Sequence, residues 1–458
     1  PLYLRISALP EYERAAPELQ QKVADLRPET DPNRIDRDVA WAAKRAALEL
    51  LWPLHDPAAL AVFREERGAG LAEFALFCAL AERHGRQWQT WPEAVRSPQG
   101  TGVPAAAAEL ADEIAFWCWL QLQVERQLEY VAATGVLVIH DLAVGVDASG
   151  ADAWALQDVL ATGSTVGAPP DSFNQQGQDW GLPPWRPDRL RDCGFAPYRE
   201  MVRACLRSAG GLRIDHVMGL FRLWWAPPGG TAADGTYLSY DADAMLAVLT
   251  IEASRVGALI VGEDLGTVSD TVRSELAATG ILGSAVLWFE REEGGTGDFL
   301  PPQQWRELAM ASVTTHDLPT AAGFLADEHV RVRAELDQLA VPVAQEYERV
   351  QAERDALLQM LTAAGLLAAH EGDAVLAMHG ALVHSPCRLV VGAFGDAVGD
   401  LRQPNLPGTV DAYPNWRLPV ADSSGRPLLL AELLAHPGVQ RLSGVLSGCT
   451  LGSDTVPP

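Results

Sequence analysis

Three acids stand where chemistry is usually placed. Asp215, Glu263 and Asp317 each follow a short aliphatic run: Leu212-Arg213-Ile214, Leu259-Ile260-Val261-Gly262 and Ser312-Val313-Thr314-Thr315-His316. Acids at the carboxyl ends of buried strands meet on one rim of an α/β sheet or barrel. Cleaving a glycosidic bond with retention needs two carboxyl groups about 5 Å apart on opposite sides of the anomeric carbon. One attacks as the carboxylate, and the other protonates the leaving oxygen and so needs a raised pKa. A third can hold sugar hydroxyls and stabilise the transition state. Arg213 lies two residues before Asp215, on the same strand face. A permanent cation there favours the charged form, as a nucleophile requires. Glu263 sits between Gly262, which leaves room for a substrate, and Asp264. A second carboxylate nearby raises its proton affinity, which suits a general acid/base. His316, beside Asp317, can donate to a sugar hydroxyl. Two other uses of such acids compete. Strand-end acids cap helices, and they hold Mg²⁺ in enolising enzymes. The second use wants a Lys or His base, but the only lysines are Lys22 and Lys44, and Arg213 beside the acids repels a cation. No metal is expected.

These acids need strands to position them. Six runs of aliphatic or β-branched residues supply them: Val136-Leu137-Val138-Ile139-His140-Asp141, Leu212 to Asp215, Leu259 to Glu263, Ala285-Val286-Leu287-Trp288-Phe289-Glu290, Ser312 to Asp317 and Arg388-Leu389-Val390-Val391-Gly392. Helical patterns over 243–255 and 268–278 separate some of them. Continuous apolar strands alternating with helices predict a parallel sheet. A closed (β/α)8 barrel has eight strands, so the expected fold is an α/β TIM barrel with helical insertions whose first two strands lie upstream of Pro1. Residues 1–130 read as a mainly helical insertion, with one long helix over 103–134. Residues 131–430 carry barrel strands three to eight, interrupted by a Gly-, Pro- and Trp-rich insert (145–210) and a helical insert (321–385). Residues 431–458 read as a tail.

Composition narrows the function. A net charge of −25 argues against nucleic acid or an anionic membrane as partner. With 48% hydrophobic and 21% charged residues the chain is neither disordered nor low in complexity. No apolar stretch reaches the length of a membrane span. Six cysteines without a CxxC pair give neither a disulfide scaffold nor zinc-ligand spacing. Reduced thiols and the lack of an Asn-x-Ser/Thr sequon fit a cytoplasmic protein. Of the fourteen tryptophans, Trp180, Trp185, Trp224 and Trp225 cluster around the first insert and the Asp215 strand, where rings can stack on sugar faces.

The chain resembles the 4-α-glucanotransferases (amylomaltases, disproportionating enzymes) of glycoside hydrolase family 77, in their bacterial maltose-system form. The resemblance rests on Leu212-Arg213-Ile214-Asp215-His216-Val217-Met218-Gly219, Phe221-Arg222-Leu223-Trp224-Trp225, Val261-Gly262-Glu263-Asp264-Leu265-Gly266-Thr267-Val268 and Thr314-Thr315-His316-Asp317-Leu318-Pro319-Thr320. It rests also on Gly167-Ala168-Pro169-Pro170-Asp171, Asn405-Leu406-Pro407-Gly408-Thr409 and Asn415-Trp416-Arg417. It implies Asp215 as nucleophile, Glu263 as acid/base and Asp317 as transition-state stabiliser. It implies sugar contacts from Arg213, His216, His316, Asp141 and Asn405. Phe173 and Trp180 would belong to a loop, 167–181, over the acceptor side. The implied reaction moves an α-1,4-glucan segment through a covalent β-glycosyl-enzyme to another glucan, with maltose, malto-oligosaccharides and α-1,4-glucans as partners and no cofactor. Hydrolysis at the same site is the alternative, since only water exclusion separates the two outcomes. An inactive glucan-binding fragment is the other, since six strands leave two open edges. Against the family pattern, the first two barrel strands with their Tyr-Ser-Pro stretch and the N-terminal β domain are expected to be missing from residues 1–458, and Ser172-Phe173 stands where some relatives carry two aromatic or hydrophobic residues.

Overall fold

The computed structural model describes residues 1–170, 176–266, 268–292 and 297–448. They form two compact units, Pro1–Pro28 with Arg37–Thr279, and Glu29–Asp36 with Gly280–Pro458.

In the first unit the N-terminal third is helical. Helix Pro57–His84 starts where the Asp56 side chain accepts the Ala58 and Ala59 N–H groups and Pro57 occupies the first turn. It packs against helix Ala111–Ala132, and Leu48, Leu51, Leu80, Trp91, Trp119 and Leu120 are fully buried around them. The single helix expected over 103–134 is two, Val103–Glu109 and Ala111–Ala132. Leu110 between them leaves helical geometry (φ −97°, ψ 22°) while its side chain stays in the core.

Seven strands follow: β1 (Ile139–Leu142), β2 (Thr165–Ala168), β3 (Gln178–Leu182), β4 (Gly211–Ile214), β5 (Arg222–Ala226), β6 (Thr236–Ser239) and β7 (Leu259–Gly262). β1, β4 and β7 form a parallel sheet in that order, with Asp141 opposite Arg213 and Arg213 opposite Val261. Helix Ala242–Val256 joins β6 to β7 and ends at Gly257, whose φ of 68° suits glycine. The run from Val136 becomes strand only at Ile139, and Val136 and Leu137 are exposed. The antiparallel sheet β3-β2-β5-β6 has no counterpart in the expected elements. Its strands are short, and β2 is held close to β3 by Gly167, where a Cβ would lie 1.9 Å from the Gln178 carbonyl oxygen.

The second unit holds β8 (Gly283–Val286), β9 (Ala309–Ser312) and β10 (Leu389–Val391), parallel in the order β10-β9-β8. Six parallel strands are thus present among the described residues. Two of them end earlier than expected. After Val286 the chain enters a 3-10 turn, Leu287–Phe289, with Leu287 and Trp288 buried. After Ser312 the chain makes a loop that delivers Asp317 five residues beyond the strand. Asp215 and Glu263, by contrast, directly follow β4 and β7. Helices Ala321–Leu325, Val343–Ala363, Ala374–Val383, Phe394–Val398 and Pro437–Leu446 make up much of the rest. Among the described residues, no helix is long and apolar enough to cross a membrane.

Leu212 is fully buried in β4, the central strand of its sheet. Leu212→Ala should cost about 2–5 kcal/mol of stability, read as a lower urea midpoint for the transition of the first unit.

Candidate active site

Parallel pairing sets the site's first contact. β1 and β4 place Asp141 beside Arg213, and the Arg213 Nη1 donates to Asp141 Oδ1 at 2.6 Å and to Asp215 Oδ1 at 3.0 Å. One guanidinium therefore holds two carboxylates at adjacent strand ends. The Asp215 N–H donates to the Leu142 carbonyl at 2.9 Å, which prolongs the β1–β4 ladder by one step.

β7 brings Glu263 alongside. Its N–H donates to the Ile214 carbonyl, and its own carbonyl accepts the Val217 N–H, both at 2.9 Å. The side chain turns back onto backbone donors: Oε2 accepts the His216 N–H at 2.9 Å and Oε1 the Leu265 N–H at 2.7 Å. Burial pushes the Glu263 pKa up. The two N–H donors pull it down, the Asp215 charge raises it and Arg213 lowers it, with a net rise. His216 reaches this position in the left-handed region, φ 49°. That is an uncommon conformation for a residue other than glycine, and such conformations concentrate at functional sites. Burial lowers its pKa, against a smaller opposing pull from Asp215. Trp180, on β3, meets the His216 ring edge-on with centroids 5.6 Å apart. Asp215 and His216 also line a cavity of about 80 Å³ with Leu142, Trp185, Tyr198 and Ile214.

Gly262 packs closely in this region. A Cβ there would lie 2.9 Å from the Val217 side chain, so the glycine makes room for Val217, which follows His216. Phe173 lies outside the described residues.

In the second unit the loop after β9 carries Asp317. The Asn405 Nδ2 donates to Asp317 Oδ1 at 2.6 Å, and the Asn405 N–H donates to the His316 carbonyl at 3.1 Å. His316 Nε2 lies 3.4 Å from Asp317 Oδ2. The loop is closed by the Thr314 hydroxyl, which donates to the Pro319 carbonyl at 2.7 Å. Trp416 packs on the His316 ring at 4.9 Å between centroids, with its N–H on the Pro404 carbonyl. Trp416 stood within a quoted motif but had no role read for it; its φ of 60° left no mark on the sequence.

The structure therefore groups Asp141, Arg213, Asp215, His216, Glu263 and Trp180 in the first unit, and His316, Asp317 and Asn405 in the second. Among the described residues no group of three or more His, Cys, Asp or Glu side chains is arranged to hold a metal ion. Arg213 occupies the space between two of the acids.

Known proteins are similar to this chain in sequence and fold. The profile of glycoside hydrolase family 77, described as 4-alpha-glucanotransferase, matches residues 1–423. The chain is 46% identical to a 4-alpha-glucanotransferase of Mycobacterium bovis over 98% of its length and 65% of that protein's. It is 33% identical to one from Haemophilus influenzae, over 91% of this chain and 65% of that protein. The crystal structure of amylomaltase from Corynebacterium glutamicum superposes with a TM-score of 0.87 at 33% identity, over 97% of this chain and 65% of that one. The chain thus spans about 65% of the length of these relatives. The six parallel strands and their interleaved helices are of the α/β TIM-barrel class, and the chain belongs to glycoside hydrolase family 77.

Proposed function

We propose that this chain transfers α-1,4-glucan segments between malto-oligosaccharides with retention. Asp215 attacks the anomeric carbon and forms a β-glycosyl-enzyme, while Glu263 protonates the leaving oxygen. Glu263 then takes the proton from the incoming 4-hydroxyl as that oxygen bonds to the anomeric carbon and the bond to Asp215 breaks, which restores both carboxyl groups. Arg213 and Asp141 orient Asp215. Asp317, His316 and Asn405 hold sugar hydroxyls, and His216 and Trp180 present a ring surface to a sugar face. The reading is carried by one observation: two carboxyl groups at neighbouring strand ends stand in opposite surroundings. Asp215 is hydrogen-bonded to a guanidinium, while burial raises the proton affinity of Glu263. Environments that differ in this way assign acid and nucleophile. Family membership supports the glucan chemistry. The free state of all five described cysteines supports a cytoplasmic setting.

Incubation with maltotriose should give glucose together with oligomers longer than the starting sugar. Glucose and maltose alone would replace transfer by hydrolysis. Asp215→Asn should lower turnover by about 10⁴-fold or more while glucan binding, measured by calorimetry, persists; near-normal turnover would remove Asp215 from the nucleophile's role.

The raised Glu263 pKa also sets a pH dependence. The acid form survives above the ordinary glutamate value of about 4.3. Turnover should therefore fall on an alkaline limb above that value, and Glu263→Gln should abolish the limb along with most of the rate. The native chain binds this proton more tightly than the unfolded chain. The stability it contributes is full below about pH 4.3 and is lost as pH rises through the native pKa.

A further inference from the structure

The second unit contains a buried titratable pair that the proposed chemistry does not use. His379, on helix Ala374–Val383, and Asp396, on helix Phe394–Val398, have side chains with no solvent exposure. His379 Nε2 and Asp396 Oδ2 face each other at 3.5 Å, and neither has a hydrogen-bond partner among the described residues. The opposite edge of each group is committed. His379 Nδ1 lies 2.9 Å from the Val375 carbonyl, which can only accept, so Nδ1 carries a hydrogen. Asp396 Oδ1 accepts the Ala321 N–H at 2.7 Å.

Ala321 ends the loop that presents Asp317. The residue before it, Thr320, is also tied to the 394–400 segment: its hydroxyl donates to the Asp400 carbonyl at 2.7 Å and accepts the Gly323 N–H at 3.0 Å. Asp400 is fixed in turn, with Oδ1 accepting from the Arg402 backbone N–H and Nε, and Oδ2 from the Ala421 N–H. Five residues beyond Asp400, Asn405 reaches Asp317. The 396–405 segment therefore holds the Asp317 loop at both its base and its tip, and Asp396 is the innermost of these contacts.

We propose that His379 and Asp396 form a positioning pair for the Asp317 loop, joined by a single proton between the carboxyl group and the imidazole. The Asp396 Oδ2–H donates to the unprotonated Nε2 of His379, the Nδ1–H donates to Val375, and Oδ1 keeps its carbonyl character toward Ala321. No atom of the pair is then left unpaired, and no net charge is buried. An empty gap between two acceptors would leave both unsatisfied at a cost of about 1–3 kcal/mol each. Burial pushes the Asp396 carboxyl pKa up, against the smaller opposing effects of His379 and the Ala321 N–H, in keeping with a protonated acid.

The kinetic part of this inference rests on the role proposed for Asp317, so the test carries two readouts that need no turnover. The first is hydrogen exchange of the peptide containing the Ala321 amide. The second is the 15N spectrum of the His379 ring, assigned by its loss in His379→Gln. Asp396→Asn keeps an oxygen for Ala321 and supplies an N–H to Nε2. It should retain the exchange protection and turn over maltotriose within a few-fold of the parent. Asp396→Leu supplies neither group. It should lose protection at Ala321 and lower kcat by about 10²-fold with little change in KM. The His379 ring should show the neutral Nδ1–H form. The proposal is overturned by an imidazolium spectrum, by Asp396→Asn as impaired as Asp396→Leu, or by a folded Asp396→Leu chain with parental protection and kcat. If Asp396→Leu does not fold, the Asn variant and the ring spectrum decide alone. If the parent chain gives no product from maltotriose, the transferase reading falls, and exchange with the ring spectrum still decides the pair.

Discussion

A guanidinium held between two carboxylates organises the strand ends of the first unit. Arg213 is fixed by its place on β4, the central strand, and its Nη1 reaches Asp141 on β1 and Asp215 just past its own strand. Without that cation, two like charges would face each other across adjacent strands, which is unfavourable for any β pairing. With it, both carboxylates are held, and the neighbouring strand end is left for an acid of another kind. Arg suits the position because its charge persists at every pH the chain meets and Nη1 carries two hydrogens, one for each carboxylate. The β1-β4-β7 register, the direction of Asp215 and the backbone turn at His216 that caps Glu263 are all consistent with this one contact.

The sequence reading reached the strand ends of β4 and β7 to within one residue, since the strands stop at Ile214 and Gly262, just before the acids. These are the runs where a continuous apolar strand stops abruptly at an acid, so the pattern and the structure share one signal. It overshot β8 and β9. There the run continues past the strand, into a 3-10 turn at Leu287–Phe289 in which Leu287 and Trp288 are buried, and into the loop before Asp317. Burial was visible in those residues, but the switch of backbone geometry was not. The antiparallel sheet escaped for the opposite reason. β2 and β3 are only four and five residues long, and their pairing depends on a close approach at Gly167 that one glycine among forty does not announce. Gly262 was identified as a position that needs space, but which neighbour takes the space, Val217, is a tertiary fact. His216 and Trp416 adopt left-handed backbone that neither residue type signals.

The two units solve the same problem with different materials. In the first, carboxylates are aimed by a side-chain cation and by backbone N–H groups, as Glu263 is by His216 and Leu265. In the second, Asp317 is aimed by an amide side chain, and its loop is tied down by buried acids and a threonine. A carboxylate that must change protonation benefits from donors that do not titrate, and backbone amides meet that requirement. A group that orients a partner without giving up a proton can be held by a side chain instead, provided the side chain is itself fixed.

This difference accounts for the separate uses proposed for two carboxyl groups whose pKa values are both raised by burial. Glu263 remains partly accessible and lies within the influence of Asp215 and Arg213. Its proton affinity therefore responds to whatever charge develops beside it, which is what a group cycling between acid and base requires. Asp396 is sealed from solvent, with the His379 ring on one oxygen and a backbone amide on the other. A proton placed there is held out of contact with solvent. Its stability is geometric, since it fixes which oxygen faces Ala321 and therefore where the Asp317 loop begins. The same physical cause, removal of a carboxyl group from water, yields an exchangeable proton at one position and a structural one at the other, and the surrounding contacts decide which.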